Sequence, residues 1–186
     1  MGDRLRVFVA LPIPEPQRHA LARYLVAGAA AAPGYRWVEP EALHLTLRFL
    51  GSVDTALLER VRAELGRVRQ GPFRLGLGSQ GTFPGRGQPR VIWLGLAEGA
   101  EPCAQLAAAV DAACCSAGVP PETRPFRAHV TVARARDRCP PPLRLADPPR
   151  LDPWMADEFV LFESQLRPGS APRYVPLARY PLDSRA

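Results

Sequence analysis

His44-Leu45-Thr46-Leu47 and, 85 residues further on, His129-Val130-Thr131-Val132 are near-copies of one short pattern. Each is polar–apolar–polar–apolar, which is the alternation of a half-buried strand. On a strand, successive side chains point to opposite faces. His44 and Thr46 therefore share one face while Leu45 and Leu47 take the other. His129 and Thr131 likewise stand opposite Val130 and Val132. Two such strands, each backed by an apolar face, predict an internal repeat in which a pseudo-two-fold axis brings both histidines to one cleft.

The flanking elements repeat in a similar order. Residues 4–11 read as a strand, with Leu5, Val7 and Val9 on one face. Residues 15–32 read as a helix with Leu21, Tyr24 and Leu25 on its apolar stripe, stopped by Pro33-Gly34. The motif strand spans residues 43–50. Asp54 opens a helix whose apolar spacing runs to Gly71, and a strand over 73–79 leads into a loop over 81–89. In the second half, a strand over 90–96 precedes a helix over 101–117 with Leu106, Ala109 and Val110 inward, then the motif strand over 128–135. A proline-rich connection over 140–153 follows. Strands over 157–166 and 174–181 are joined by Arg167-Pro168-Gly169-Ser170, which reads as a hairpin turn.

The 186 residues suffice for one domain with its own core. A hydrophobic fraction of 47% against 23% charged residues argues against a disordered chain. The N-terminal apolar run is short and broken by prolines, unlike a signal peptide, and no stretch reaches the length of a membrane span, so a cytoplasmic protein is expected. Cys103, Cys114, Cys115 and Cys139 form no Cys-x-x-Cys pair and have no histidine at zinc-ligand spacing. They are expected to be reduced structural thiols, with no metal and no cofactor. The net charge is +6, and all 24 basic residues are arginine. Arginine's planar fork suits phosphate. A GC-rich genome would produce the same bias, so charge alone does not establish nucleic-acid binding.

Paired histidines suit proton transfer at a phosphodiester. Imidazole titrates near neutrality, so one ring can take a proton while the other gives one. Threonine hydroxyls can donate hydrogen bonds to the non-bridging oxygens. A single His-x-Thr is more often an ordinary strand; the repeat in matching elements is what gives the pattern weight. Gly76-Leu77-Gly78-Ser79-Gln80-Gly81 spells a dinucleotide fingerprint, but loop residues rather than a helix follow it, and that reading is rejected. Phe49 has the opposite parity to His44 and is assigned to the core. Arg127 has the parity of His129, and phosphate contact and a solvated arginine are equal readings of it. Tyr174 is read either as a base-stacking residue or as a buried hairpin tyrosine. His19 is placed on the surface.

The chain resembles the 2H phosphoesterases and, within them, the RNA 2′,3′-cyclic phosphodiesterases, also called 2′-5′ RNA ligases. The stretches that carry the resemblance are RVFVALPIP from Arg6, WVEPEALHLTLRFLGSV around His44, PRVIWLGL from Pro89, RPFRAHVTVARA around His129 and FVLFESQLRPGSAPRYVPLARYPL from Phe159. The resemblance implies an α+β bilobal fold: two antiparallel sheets with outer helices and a cleft between the lobes, all within a single domain over 1–186. It also implies hydrolysis of a terminal RNA 2′,3′-cyclic phosphate to a 2′-phosphomonoester, with ligation as a weak reverse activity. His44 would be the proton donor and His129 the acceptor, although spacing alone does not assign these roles. Thr46 and Thr131 would hold the phosphate, joined by Arg134, which matches an arginine common in the family. RNA ends, tRNA fragments among them, would be the partner of a monomer. The competing readings are a phosphodiesterase for small cyclic nucleotides or 2′-5′ oligonucleotides, and a non-catalytic basic RNA-binding module.

Overall fold

A computed structural model describes residues 4–136, 147–166 and 171–183. The fold is α+β: three helices against a strongly curled antiparallel sheet. The elements in order are β1 (Leu5–Pro12), α1 (Glu15–Ala31), β2 (Tyr35–Trp37), a 3₁₀ turn (Pro40–Ala42), β3 (His44–Val53), α2 (Thr55–Leu65), β4 (Phe73–Phe83), β5 (Val91–Glu98), α3 (Ala100–Ser116), β6 (His129–Ala135), β7 (Trp154–Ala156), β8 (Glu158–Gln165) and β9 (Arg173–Pro181). The expected turn at 167–170, Cys139 and the first half of the 140–153 connection, 140–146, lie outside the described residues.

The strand path is β7-β4-β5-β6-β3-β1-β8-β9, with β2 added on β6. It divides in the middle into two matching sets of four. In one lobe β9-β8-β1-β3 run outside to inside; in the other, β7-β4-β5-β6 do the same. The two sets meet where β3 pairs with β6 at Leu45↔Val130, the residues between histidine and threonine in each motif. The expected pseudo-two-fold axis therefore passes through the motifs themselves, and the two sheets are joined there into one path.

Helices α1 and α3 each cover the lobe opposite to the strand they follow. Helix α1 starts beside β1, yet packs on β2, where Tyr24 meets Trp37 edge-on at 6.0 Å and donates a 2.9 Å hydrogen bond to Gln80 on β4. Helix α3 follows β5 but packs on β3, and α2 packs beside it. The stripe of α3 that faces in is Cys103, Leu106, Ala107, Val110 and Cys114. Ala109, expected inward, lies at the half-buried margin, because the stripe follows the i, i+3, i+4, i+7 rows through Ala107. Burial pushes the thiols of Cys103 and Cys114 up to about 12, so both are inert apolar packing groups.

Several boundaries differ from the sequence reading for local reasons. Helix α2 is capped by Asp54, whose carboxylate accepts from the Leu57 amide at 2.8 Å, and ends at Leu65 rather than Gly71. Strand β4 continues to Phe83, so Gly76–Gly81 is strand and not a phosphate loop. A side chain at Gly81 would collide with the Trp93 ring, which its absence lets lie against β4. Strand β1 is buried on both faces from Val7 to Leu11: Val7, Val9 and Leu11 lie in the main core, and Phe8 is covered by Phe49, Phe162 and Tyr174.

Candidate active site

His44, Thr46, His129, Thr131, Arg134 and Tyr174 all line one cavity of about 520 Å³ at the junction of the lobes. The antiparallel register through Leu45↔Val130 sets His44 beside Thr131 and Thr46 beside His129. Both imidazoles are held in the same way. His44 Nδ1 donates to the Ala42 carbonyl at 2.8 Å, and His129 Nδ1 donates to the Arg127 carbonyl at 2.6 Å. A carbonyl only accepts, so Nδ1 carries the proton in each ring. Nε2 is then the nitrogen left for chemistry: an acceptor when the ring is neutral, a donor when it is charged.

Simple alternation places the next cleft-facing residues wrongly, and the same irregularity is responsible in both halves. The β1–β3 register passes from Ala10↔Thr46 to Val9↔Arg48, so Leu47 is an extra residue. The β5–β6 register passes from Trp93↔Thr131 to Ile92↔Ala133, so Val132 is extra. A β-bulge of this kind reverses the parity beyond it. Leu47 and Arg48 both turn to the buried side, as do Val132 and Ala133. Five residues after each histidine the chain faces the cleft again, at Phe49 and at Arg134. Phe49, expected in the core, is 46% exposed and lines the cleft. The equal spacing of Phe49 and Arg134 from their histidines was the signal for this.

Arg48 goes behind the sheet instead. Its guanidinium forms an ion-pair contact with Asp111 of α3 at 2.7 Å and pairs with Glu122 at 3.1 Å. It also donates to the Pro120 carbonyl. It ties the first motif strand to α3 and to the segment that leads into the second.

The aromatic surroundings differ between the two histidines. The His44 ring lies 4.9 Å from Phe8 and 5.0 Å from Tyr174, the latter edge-on. His129 meets Phe83 edge-on at 5.1 Å and Trp93 at 6.3 Å. Burial lowers the His44 pKa to about 4, with smaller contributions from the positive charge of Arg134 and from His129, against the Ala42 hydrogen bond. His129 is lowered for the same leading reason, also with Arg134 contributing. Both rings are therefore neutral near pH 7 without substrate. Among the described residues the lining includes two arginines, Arg6 and Arg134, and no carboxylate, so the cavity suits an anion.

Arg127 stands two residues before β6 begins, where strand alternation does not reach. It is exposed and lines an adjoining groove of about 620 Å³ between α3 and the segment at 122–127. Tyr174 is half-buried within the main cleft, and His19 is exposed on α1. Phe8, Trp93, Phe83 and Arg6 were not singled out from sequence. Among the described residues, no group of three or more His, Cys, Asp or Glu side chains converges as a metal site would require, and no helix is long and apolar enough to cross a membrane.

Comparison with known proteins adds three findings. The model of the "LigT like Phosphoesterase" family matches twice, over residues 11–93 and 94–171. An Escherichia coli RNA 2′,3′-cyclic phosphodiesterase is 30% identical over 98% of this chain and 99% of its own length. A Geobacillus stearothermophilus protein of the same name is also 30% identical, over 96% of this chain but 58% of its own length, so the chain spans a little over half of that relative. Among solved structures, a Thermus thermophilus protein superposes with a TM-score of 0.86 at 30% identity, over 98% of this chain and 100% of that one. E. coli LigT complexed with 3′-AMP gives 0.80 at 29% identity, over 97% and 99%. Each match to the family model contains one His-x-Thr strand, and the duplication seen in the fold is thus the family's own: the chain belongs to the LigT-like phosphoesterases, the 2H phosphoesterase family.

Proposed function

We propose that this cleft hydrolyses the 2′,3′-cyclic phosphate at an RNA end to a 2′-phosphomonoester, using His44 as proton donor and His129 as proton acceptor. The observation that carries the reading is the pairing of the two His-x-Thr strands at Leu45↔Val130, with both Nδ1 atoms fixed on carbonyls inside an anion-attracting cavity. The names of the E. coli and Geobacillus relatives support the substrate class.

His129 Nε2 takes a proton from water as the water oxygen attacks phosphorus. The bond from phosphorus to O3′ breaks, and His44 Nε2–H delivers its proton to O3′. The 2′ ester remains. Thr46 and Thr131 hydroxyls and the Arg134 guanidinium hold the non-bridging oxygens, where negative charge grows. Burial supports this division of labour. An imidazolium forced into the enclosed site of His44 is a strong acid and gives its proton readily, and His129 is the less enclosed ring of the two, which suits the one that meets water. The bound phosphate anion raises the His44 pKa and so supports loading of the donor. The same steps in reverse, with a 5′-hydroxyl in place of water, form a 2′-5′ linkage as a weak side activity. The chain is taken to act as one domain and as a monomer, in the cytoplasm, on RNA ends such as tRNA fragments.

The test is a short RNA ending in a 2′,3′-cyclic phosphate, incubated with the protein in excess EDTA. The expected product is the 2′-phosphate alone. An inert RNA, or a 3′-phosphate product, contradicts the proposal.

A further inference from the structure

The cleft holds a second cation that the reaction above leaves without a role. Arg6 lies on β1, opposite Ser52 of β3, and the β1–β8 register through Val7↔Glu163 puts Ser164 beside it. Arg48, Arg62, Arg67, Arg74, Arg124 and Arg179 are all paired with carboxylates. Among the described residues Arg6 and Arg134 have no carboxylate partner, and both line this one cavity, whose described lining holds no carboxylate. Unpaired arginines at two places in a concave site make two anion positions.

The space between them is aromatic. Phe8 lies 5.0 Å from Tyr174, edge-on, and 5.7 Å from Phe49. The positive charges of Arg6 and Arg134 both act on the Tyr174 hydroxyl, opposing the burial that raises its pKa, so this ring stands within reach of both cations. An aromatic seat with a cation at each side matches a nucleoside carrying phosphate at each side. The last nucleotide of an RNA is such a group: the cyclic phosphate on O2′ and O3′, and the phosphodiester on O5′. A nucleoside 2′,3′-cyclic phosphate lacks the second anion.

We propose that Arg6, with Ser164 beside it, binds the 5′-phosphate of the terminal nucleotide, and that this contact makes the cleft select RNA ends over nucleoside cyclic phosphates. The assignment rests on the cyclic phosphate occupying the two-histidine end. The experiment compares kcat/KM for adenosine 2′,3′-cyclic phosphate with that for the same compound carrying a 5′-phosphate, in wild type, Arg6→Gln and Arg6→Lys. The wild type is expected to favour the 5′-phosphorylated compound by about tenfold or more, through KM, as a charge-assisted contact would give. Arg6→Gln should bring the ratio close to one, and Arg6→Lys should keep part of it. A wild-type ratio near one overturns the assignment while leaving the hydrolysis intact. So does an Arg6→Gln ratio equal to wild type, or an equal loss on both compounds. If the wild type turns over neither compound, the cyclic-phosphate reading itself fails, and the Arg6 assignment falls with it.

Discussion

His44 and His129 stand at equivalent places in two halves of one molecule, and their backbones are treated alike. Each opens its strand, donates a hydrogen bond from Nδ1–H to the carbonyl two residues back, and is followed by a threonine and then a bulge. The side chains around them are not alike. Beyond the bulge, the first half offers Phe49 to the cleft and the second offers Arg134. On the neighbouring inner strand, Phe8 in one half answers to Val91 in the other, paired with Phe49 and Arg134 respectively. Behind the sheet, the buried Arg48 answers to Ala133. Both histidines meet two aromatic rings, Phe8 and Tyr174 at His44 and Phe83 and Trp93 at His129, but at the position five residues on the first half adds a further ring and the second an arginine. Duplicated backbone geometry puts two identical groups in place, and unequal surroundings make them unequal acids.

That comparison can be broken at several points. The largest effect is expected from the histidines. His44→Ala and His129→Ala should each lower kcat on a cyclic-phosphate RNA by at least about a hundredfold, within the usual range for a general acid or base, and loss from only one of them would mean the halves do not share the chemistry. Next comes the cation. Arg134→Phe makes the second half resemble the first, and should lower kcat/KM by roughly tenfold to a hundredfold, in keeping with the loss of one charge-assisted donor to the phosphate. A variant with wild-type kinetics would remove Arg134 from the phosphate site.

The smallest effect is on protonation, read from the imidazole resonances by NMR without substrate. His44 should titrate near 4 and His129 below 6.5. Arg134 disfavours both imidazolium forms, so removing its charge should move both midpoints upward. An unchanged pair, or a His44 midpoint above 6.5, would show that burial and Arg134 do not set these values.

Much of this was legible in the sequence because it depends on short-range pattern. The motif strands, the three helices and the residues His44, Thr46, His129 and Thr131 follow from alternation and helical spacing. Other features depend on long-range packing that spacing does not encode. The bulges that return Phe49 and Arg134 to the cleft arise from pairing with β1 and β5, and strict alternation sent Phe49 to the core. β2 and β7 are only three residues long and exist because β6 and β4 offer them free edges. The crossing of α1 and α3 to opposite lobes is likewise a matter of which sheet face each helix covers, not of where it stands in the chain. Tyr174 meets His44 from β9, the outermost strand of its lobe, so its place in the cleft depends on the curl of the sheet rather than on any spacing along the chain.

The central claim is that one histidine gives a proton while the other takes one. The residual activity of the two alanine variants tests it most directly, followed as kcat/KM from pH 4 to 9 on the cyclic-phosphate RNA. With His44 removed, only the acceptor remains to titrate, so the residual rate should rise with pH and level off once His129 is neutral. With His129 removed, only the donor remains, and the rate should fall as pH rises and His44 loses its proton. Opposite slopes in the two variants are the predicted result; slopes of the same sign, or two flat profiles, would contradict the division of roles between the halves.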